Sequence, residues 1–109
     1  MTAEDFRQIA LSLPEAVESA HMNHPDFRVG KKIFATLGYP SKDWACVTLT
    51  PADQLFFTKE HPGMFATVKG GWGRGGATQV NIKKVTQTAA RQALEAAWKK
   101  IAPKTLLVG

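Results

Sequence analysis

The chain has 109 residues, 44% of them hydrophobic and 21% charged, with 14 basic against 9 acidic side chains and a formal net charge of +5. This length suits one domain that buries roughly two-thirds of its extended-chain surface, and the apolar content excludes intrinsic disorder. No apolar run approaches the ~20 residues of a membrane-spanning helix. Cys46 is the single cysteine, so no intrachain disulfide forms, and MTAEDFRQ lacks the basic and apolar regions of a secretory leader, so a cytoplasmic protein is expected.

Thr2 is placed to cap a first helix, with Asp5 three positions later as a short capping-box acid. Phe6, Ile9, Ala10 and Leu13 recur at helical spacing, and Pro14 ends the pattern, predicting a helix over residues 3–12. Val17, Ser19 and His21 fit a short edge strand, and HMNHP fits a turn.

Residues 26–37, DFRVGKKIFATL, read as a β-hairpin with lysines at its tip. A two-residue tip, Gly30-Lys31, would set Val29 opposite Lys32. A three-residue tip, Gly30-Lys31-Lys32, sets Val29 opposite Ile33 and Phe27 opposite Ala35. The second is expected because it keeps one face apolar, and a one-residue slip would turn that face to solvent.

A polar connection, residues 38–43, leads to a strand over 44–49. Ala45, Val47 and Leu49 lie on one side of it and Trp44, Cys46 and Thr48 on the other, which suits a central position. Thr50 as N-cap, Pro51 at N1 and Asp53 at N3 start a short helix, on which Ala52, Leu55 and Phe56 share a face before His61-Pro62-Gly63 stops it. Residues 64–69 carry no decisive pattern, and 70–76 read as an irregular glycine-rich loop. Residues 79–83 alternate with Val80 and Ile82 inward. The last helix begins at Thr86 or Thr88, with Ala90, Leu94, Ala97, Trp98 and Ile101 as its apolar stripe, and stops at Pro103. Lys99 and Lys100 suit the negative end of its dipole.

Few patterns point to chemistry. Gly71 to Gly76 spell G-x-G-x-x-G, but a strand-like segment follows, whereas dinucleotide binding needs a helix there, so no cofactor is expected. The spacing of His21 and His24, with His61 as a third group, falls short of an established zinc set, so no metal is expected either. Cys46 lies in the apolar run WACVTL and reads as a reduced, buried thiol. Glu15 and Glu18 define no acid–base pair, and no nucleophile–base arrangement is recognisable. The basic residues are more suggestive. Arg28, Lys31 and Lys32 belong to the hairpin, Lys42 to the next connection, Lys69 and Arg74 to the glycine loop, and Lys83 and Lys84 to the end of a strand. Lysines at a hairpin tip can contact phosphates while reading little base information, and Trp72 can stack on a base or cover a pocket.

Taken in order, the segments ALSLPEAVES, HPDFRVGKKIFATL, TPADQLFFTKEHPGMF, GGWGRGGATQVNI and ALEAAWKKIAPKTL resemble the MmcQ/YjbR family of small bacterial proteins nearly end to end. His24-Pro25, Phe27-Arg28-Val29, Gly30-Lys31 and Ile33-Phe34-Ala35 match its hairpin pattern. Trp72-Gly73-Arg74, Gly76 and Thr78 match its WGR-containing branch, with Ala77 where that branch often has an aromatic residue. Ala102-Pro103-Lys104 and Leu106 match its terminal motif. The resemblance implies a CyaY-like fold, also described as a double wing, and carries a DNA-binding family label; it supplies no family-wide catalytic residues.

The expectation is therefore one α+β domain over residues 1–109, a compact antiparallel-rich sheet with helices on one face and the other face partly open. Its expected role is a non-catalytic DNA-binding or regulatory module. Arg28, Lys31, Lys32, Lys42, Trp72, Arg74 and Lys83 would contact double-stranded DNA, with no membrane partner. The alternative is a protein- or small-anion-binding module using the open sheet face and the Trp72–Arg74 loop. A catalytic role would need His21, His24 or His61 to converge with an acid or metal.

Overall fold

The computed structural model describes residues 1–107. Helix α1 (Ala3–Leu11) is followed by strands β1 (Val17–His21), β2 (His24–Val29), β3 (Lys32–Leu37) and β4 (Trp44–Thr48). Then come α2 (Pro51–Glu60), β5 (Phe65–Thr67), the single turn α3 (Gly71–Arg74), β6 (Ala77–Asn81), α4 (Gln87–Ile101) and the short α5 (Lys104–Leu107). The strands form one antiparallel sheet in the order β1-β2-β3-β4-β6-β5, the α+β architecture expected. No helix among the described residues is long and apolar enough to cross a membrane.

The helix starts follow the sequence closely. Thr2 and Asp5 form a reciprocal capping box on α1, Thr50 caps α2 with Pro51 in its first turn, and Thr86 caps α4. Each side-chain oxygen takes one of the backbone N–H groups that a helix start leaves unpaired. Helix α4 lies on β3 and β4 and packs against α1, while α2 covers β5, where Phe57 and Phe65 have ring centroids 5.2 Å apart. Phe6, Phe27, Phe34, Leu49 and Leu94 are fully buried between helices and sheet. Each such side chain contributes roughly 1.5–3 kcal/mol through burial.

The β2–β3 hairpin corrects its expected register. Its tip is the two-residue Gly30-Lys31, both in the left-handed region at φ 58° and 69°, and Val29 pairs with Lys32 rather than Ile33. Such a turn matches the twist of the flanking strands. Phe27 nevertheless faces Ala35 as expected, because β3 carries one extra residue there. Arg28 pairs with Ile33 and Phe27 with Ala35, leaving Phe34 as a β-bulge. The bulge is what keeps the core face intact. It buries Phe34 and Ala35 in succession and returns Leu37 to the core side. The missing Cβ of Gly30 leaves room for Pro103: a methyl there would lie 2.5 Å from the proline Cγ, so the tip seats against the chain leaving α4.

Other departures are local. HMNHP contains only a two-residue turn, Met22-Asn23, so β1 and β2 form a second hairpin. The glycine loop contains the helical turn α3. Strand β6 begins at Ala77, ahead of the expected 79–83. Helix α2 buries Phe57, and the face that Ala52, Leu55 and Phe56 share is turned to solvent. The angle is set partly by Gln54, whose Nε2 donates to the carbonyls of Gly73 and Ala77.

Candidate functional site

The sheet has two ends. At the hairpin end lie the β2–β3 tip, the exit of β4 toward Thr50, the loop after β5 and the start of β6. At the opposite end lie the Met22-Asn23 turn, the 38–43 connection and the exit of β6. Helix α4 runs from the opposite end to the hairpin end, since Thr86 follows β6 and Pro103 meets Gly30.

This geometry divides the seven residues picked from the sequence. Lys31 and Lys32 stand exposed at the hairpin end. Arg74, on α3 between the β5 exit and β6, belongs to the same end and is also exposed. Lys42 and Lys83 lie at the opposite end, where Lys83 Nζ is 3.4 Å from Asp43 Oδ2. Arg28 points onto the open face and is engaged by Asp26. Trp72 projects from α3, 79% exposed.

The fold brings further cations to the hairpin end beyond those seven residues. Lys69 follows β5, Lys99 and Lys100 close α4, and Lys104 follows Pro103; all are exposed. Lys100 is anchored, its ammonium donating to the carbonyls of Leu49 at 2.8 Å and Gly75 at 3.1 Å. Among the described residues, no carboxylate lies within 4 Å of the side-chain nitrogens of Lys31, Lys32 or Arg74. Helix-dipole logic had explained Lys99 and Lys100 from sequence; the missing signal was where α4 ends relative to the hairpin.

The face of the sheet away from the helices carries a second feature, a 360 Å³ groove lined by His21, Met22, His24, Thr36, Tyr39, Cys46, Val68 and Trp72. Thr36 and Cys46 pair across β3 and β4 and sit mid-sheet. Trp72 comes from the α3 side, and His21, Met22 and Tyr39 from the two turns at the opposite end. The ring of His24 meets Tyr39 edge-on with centroids 5.8 Å apart.

Beside the groove, Asp26 is fully buried. Its carboxylate accepts from Arg28 Nε at 2.8 Å and Nη2 at 3.1 Å, and its Oδ2 lies 2.7 Å from His21 Nδ1. The Arg28 hydrogen bonds, with help from His21, outweigh burial and hold this carboxyl below its ordinary value. If His21 Nδ1–H donates to this carboxylate, the imidazole is oriented with Nε2 as its remaining polar atom. Sequence reasoning passed over Asp26 because its buried environment depends on the sheet order.

Burial pushes the Cys46 thiol up, away from the reactive thiolate. Cys46 and His21 sit on strands three spacings apart, about 14 Å, too far for a nucleophile–base hydrogen bond. His61 lies apart, packed between Phe57 and Phe65. Among the described residues, no three His, Cys, Asp or Glu side chains converge as a metal site would require.

A six-stranded antiparallel sheet, helices on one face and a grooved open face define a compact α+β domain. The chain belongs to the YjbR family, whose model matches residues 11–100, in agreement with the resemblance carried by its hairpin and WGR segments. Its fold is similar to that of the Deinococcus radiodurans protein DR2400, which has a DUF419 domain. The TM-score is 0.76 at 16% identity, with 95% of this chain and 80% of that chain covered. No curated protein matches the chain.

Proposed function

We propose that this protein is a DNA-binding module that grips the phosphate backbone with the hairpin end of its sheet. The observation that carries the reading is the gathering there of Lys31, Lys32 and Arg74 with Lys69, Lys99, Lys100 and Lys104. A cluster of cations on one end of a chain of net charge +5 concentrates positive potential where a polyanion can neutralise it. Lys31 is central. The left-handed turn displays it beyond the sheet edge, and Pro103 supports the turn from behind.

Contacts of this kind position a protein on DNA without reading its sequence. Affinity should then be nearly independent of sequence and steeply dependent on salt. The test is titration of labelled duplex DNA across a salt series. Reversing both charges, K31E/K32E, should weaken binding by tenfold or more and flatten the log K against log[salt] slope by about 2, near 0.9 per lost phosphate contact. Absence of DNA affinity at low salt would end this reading.

The open-face groove favours a second reading, the capture of a small or flat ligand. An aromatic-walled concavity of 360 Å³ falls within the size range of small-molecule sites. It would operate independently of the lysines at the tip.

A further inference from the structure

We infer that the open-face groove is the seat of an unpaired nucleobase, so that the nucleic acid bound at the hairpin end is single-stranded where it crosses the sheet. This rests on the phosphate-gripping reading and adds to it the strand form of the partner and a second set of residues.

The groove has the parts such a base requires. Trp72 offers an indole that is 79% exposed although it belongs to a short helical turn fixed against the sheet. A large aromatic side chain left in water is available as a stacking surface. Tyr39, 43% exposed, and Met22, 86% exposed, stand on the other side. Between these walls the floor is polar at Thr36 and Cys46, and His21 and His24 supply ring nitrogens at the margin. Aromatic faces with hydrogen-bonding groups at the edges suit a planar heteroaromatic ring better than an aliphatic chain.

Position and charge then choose a strand over other occupants. Thr36 and Lys32 lie four residues apart on β3, no more than about 13 Å at 3.3 Å per residue and a span of roughly two nucleotides, although the bulge at Phe34 puts Lys32, the partner of core-facing Val29, on the helix side of the sheet and Thr36 on the open side. A chain with one base in the groove therefore reaches the lysines of the tip within a few phosphates. A base inside a duplex stays in the stack, and an enzyme that reaches one must first flip it out. The floor residues Thr36 and Cys46 are partly covered, lying between walls that stand in water, so a base must leave its stack to reach them and one already unpaired suits the groove.

The test uses the full chain and three probes in low salt: a labelled thymidine octanucleotide, an octanucleotide backbone of abasic sites, and free thymidine. They are measured against wild type, Trp72→Ala and K31E/K32E. Trp72 is exposed, so its replacement should leave the fold intact, which circular dichroism verifies. The expected result is that wild type binds the octanucleotide about tenfold tighter than the abasic strand, within the range of one stacked base. Trp72→Ala should remove that difference without changing abasic binding, and K31E/K32E should weaken both strands together. Equal binding of the two strands by wild type overturns the inference while leaving the phosphate reading standing. Thymidine binding as tightly as the octanucleotide also overturns it, since the occupant would then be a free nucleoside. Failure of both strands to bind defeats the inference together with the reading beneath it.

Discussion

Asp26 Oδ1 lies 2.8 Å from Arg28 Nε while its other oxygen lies 2.7 Å from His21 Nδ1, and the carboxylate has no exposed surface. A buried charge is costly unless it is paired and hydrogen-bonded, and here two partners on one side of the sheet supply the pairing. The partners themselves are partly in water, their side chains 31% and 41% exposed, which limits what the cluster is worth. Asp26→Asn keeps the shape and removes the charge. It should destabilise the fold by about 1–2 kcal/mol, lowering Tm by about 4–16 °C in a domain of this size. Thermal unfolding checks this.

The same carboxylate predicts an acid dependence. Its pKa is lower folded than unfolded, so its contribution is fully present above the unfolded value of about 3.9 and is lost as pH falls through the folded value. Urea midpoints of wild type and Asp26→Asn should differ at pH 7 and converge below about pH 4. A constant gap across that range would show that Asp26 does not titrate in this way.

Gly73 fixes the turn that displays Trp72. A Cβ at this position would fall 1.5 Å from the backbone oxygen of Val68, so any side chain must push α3 off the sheet. Gly73→Ala should cost about 1–3 kcal/mol, the usual scale of overpacking. It should also shift the emission of Trp72, which Trp72→Phe in the same background would identify.

Lys100 ties the end of α4 to the exit of β4 through the carbonyl of Leu49 and to the glycine loop through that of Gly75. Lys100→Met keeps much of the side chain's bulk and removes the donors. A loss of about 1–2 kcal/mol is expected, with faster amide exchange through residues 70–76 than elsewhere in the molecule. Uniform exchange changes would assign Lys100 to surface charge alone.

Much of this fold is written locally. Thr2, Thr50 and Thr86 mark helix starts because a cap is a contact over three residues, and the alternation of residues 44–49 is visible without any neighbour. The features that were misread depend on distant parts of the chain. The hairpin tip looked three residues long because only that register kept the apolar face, and nothing in the sequence revealed that a bulge at Phe34 would satisfy both the tight turn and the core. Helical spacing puts Ala52, Leu55 and Phe56 on one face of α2 without saying which face is buried, and the burial of Phe57 is decided by Phe65 and the hydrogen bonds of Gln54. The turn within HMNHP is legible, but its two-residue length is not, since a non-glycine residue such as Met22 at φ 48° is uncommon.

The candidate site divides in the same way. Lys31, Lys32 and Trp72 were visible as residue types at a turn and in a glycine loop. The separation of Lys42 and Lys83 from Lys31 and Lys32 follows from strand direction, and the arrival of Lys99 and Lys104 beside the hairpin follows from the direction of α4. The groove joins residues from β1 to α3, far apart in sequence, so only the sheet order brings them together.

The most direct test of the phosphate-gripping account is a comparison between the two ends of the sheet at equal change of charge. K31E/K32E and K42E/K83E each alter net charge by the same amount, so long-range attraction falls similarly in both. Duplex affinity at low salt should drop by tenfold or more for the hairpin-end pair and by threefold or less for the opposite pair, with the salt slope reduced by about 2 only in the first. Equal losses in the two variants would contradict the account, because binding would then follow total charge and not the end of the sheet that carries Lys31 and Lys32.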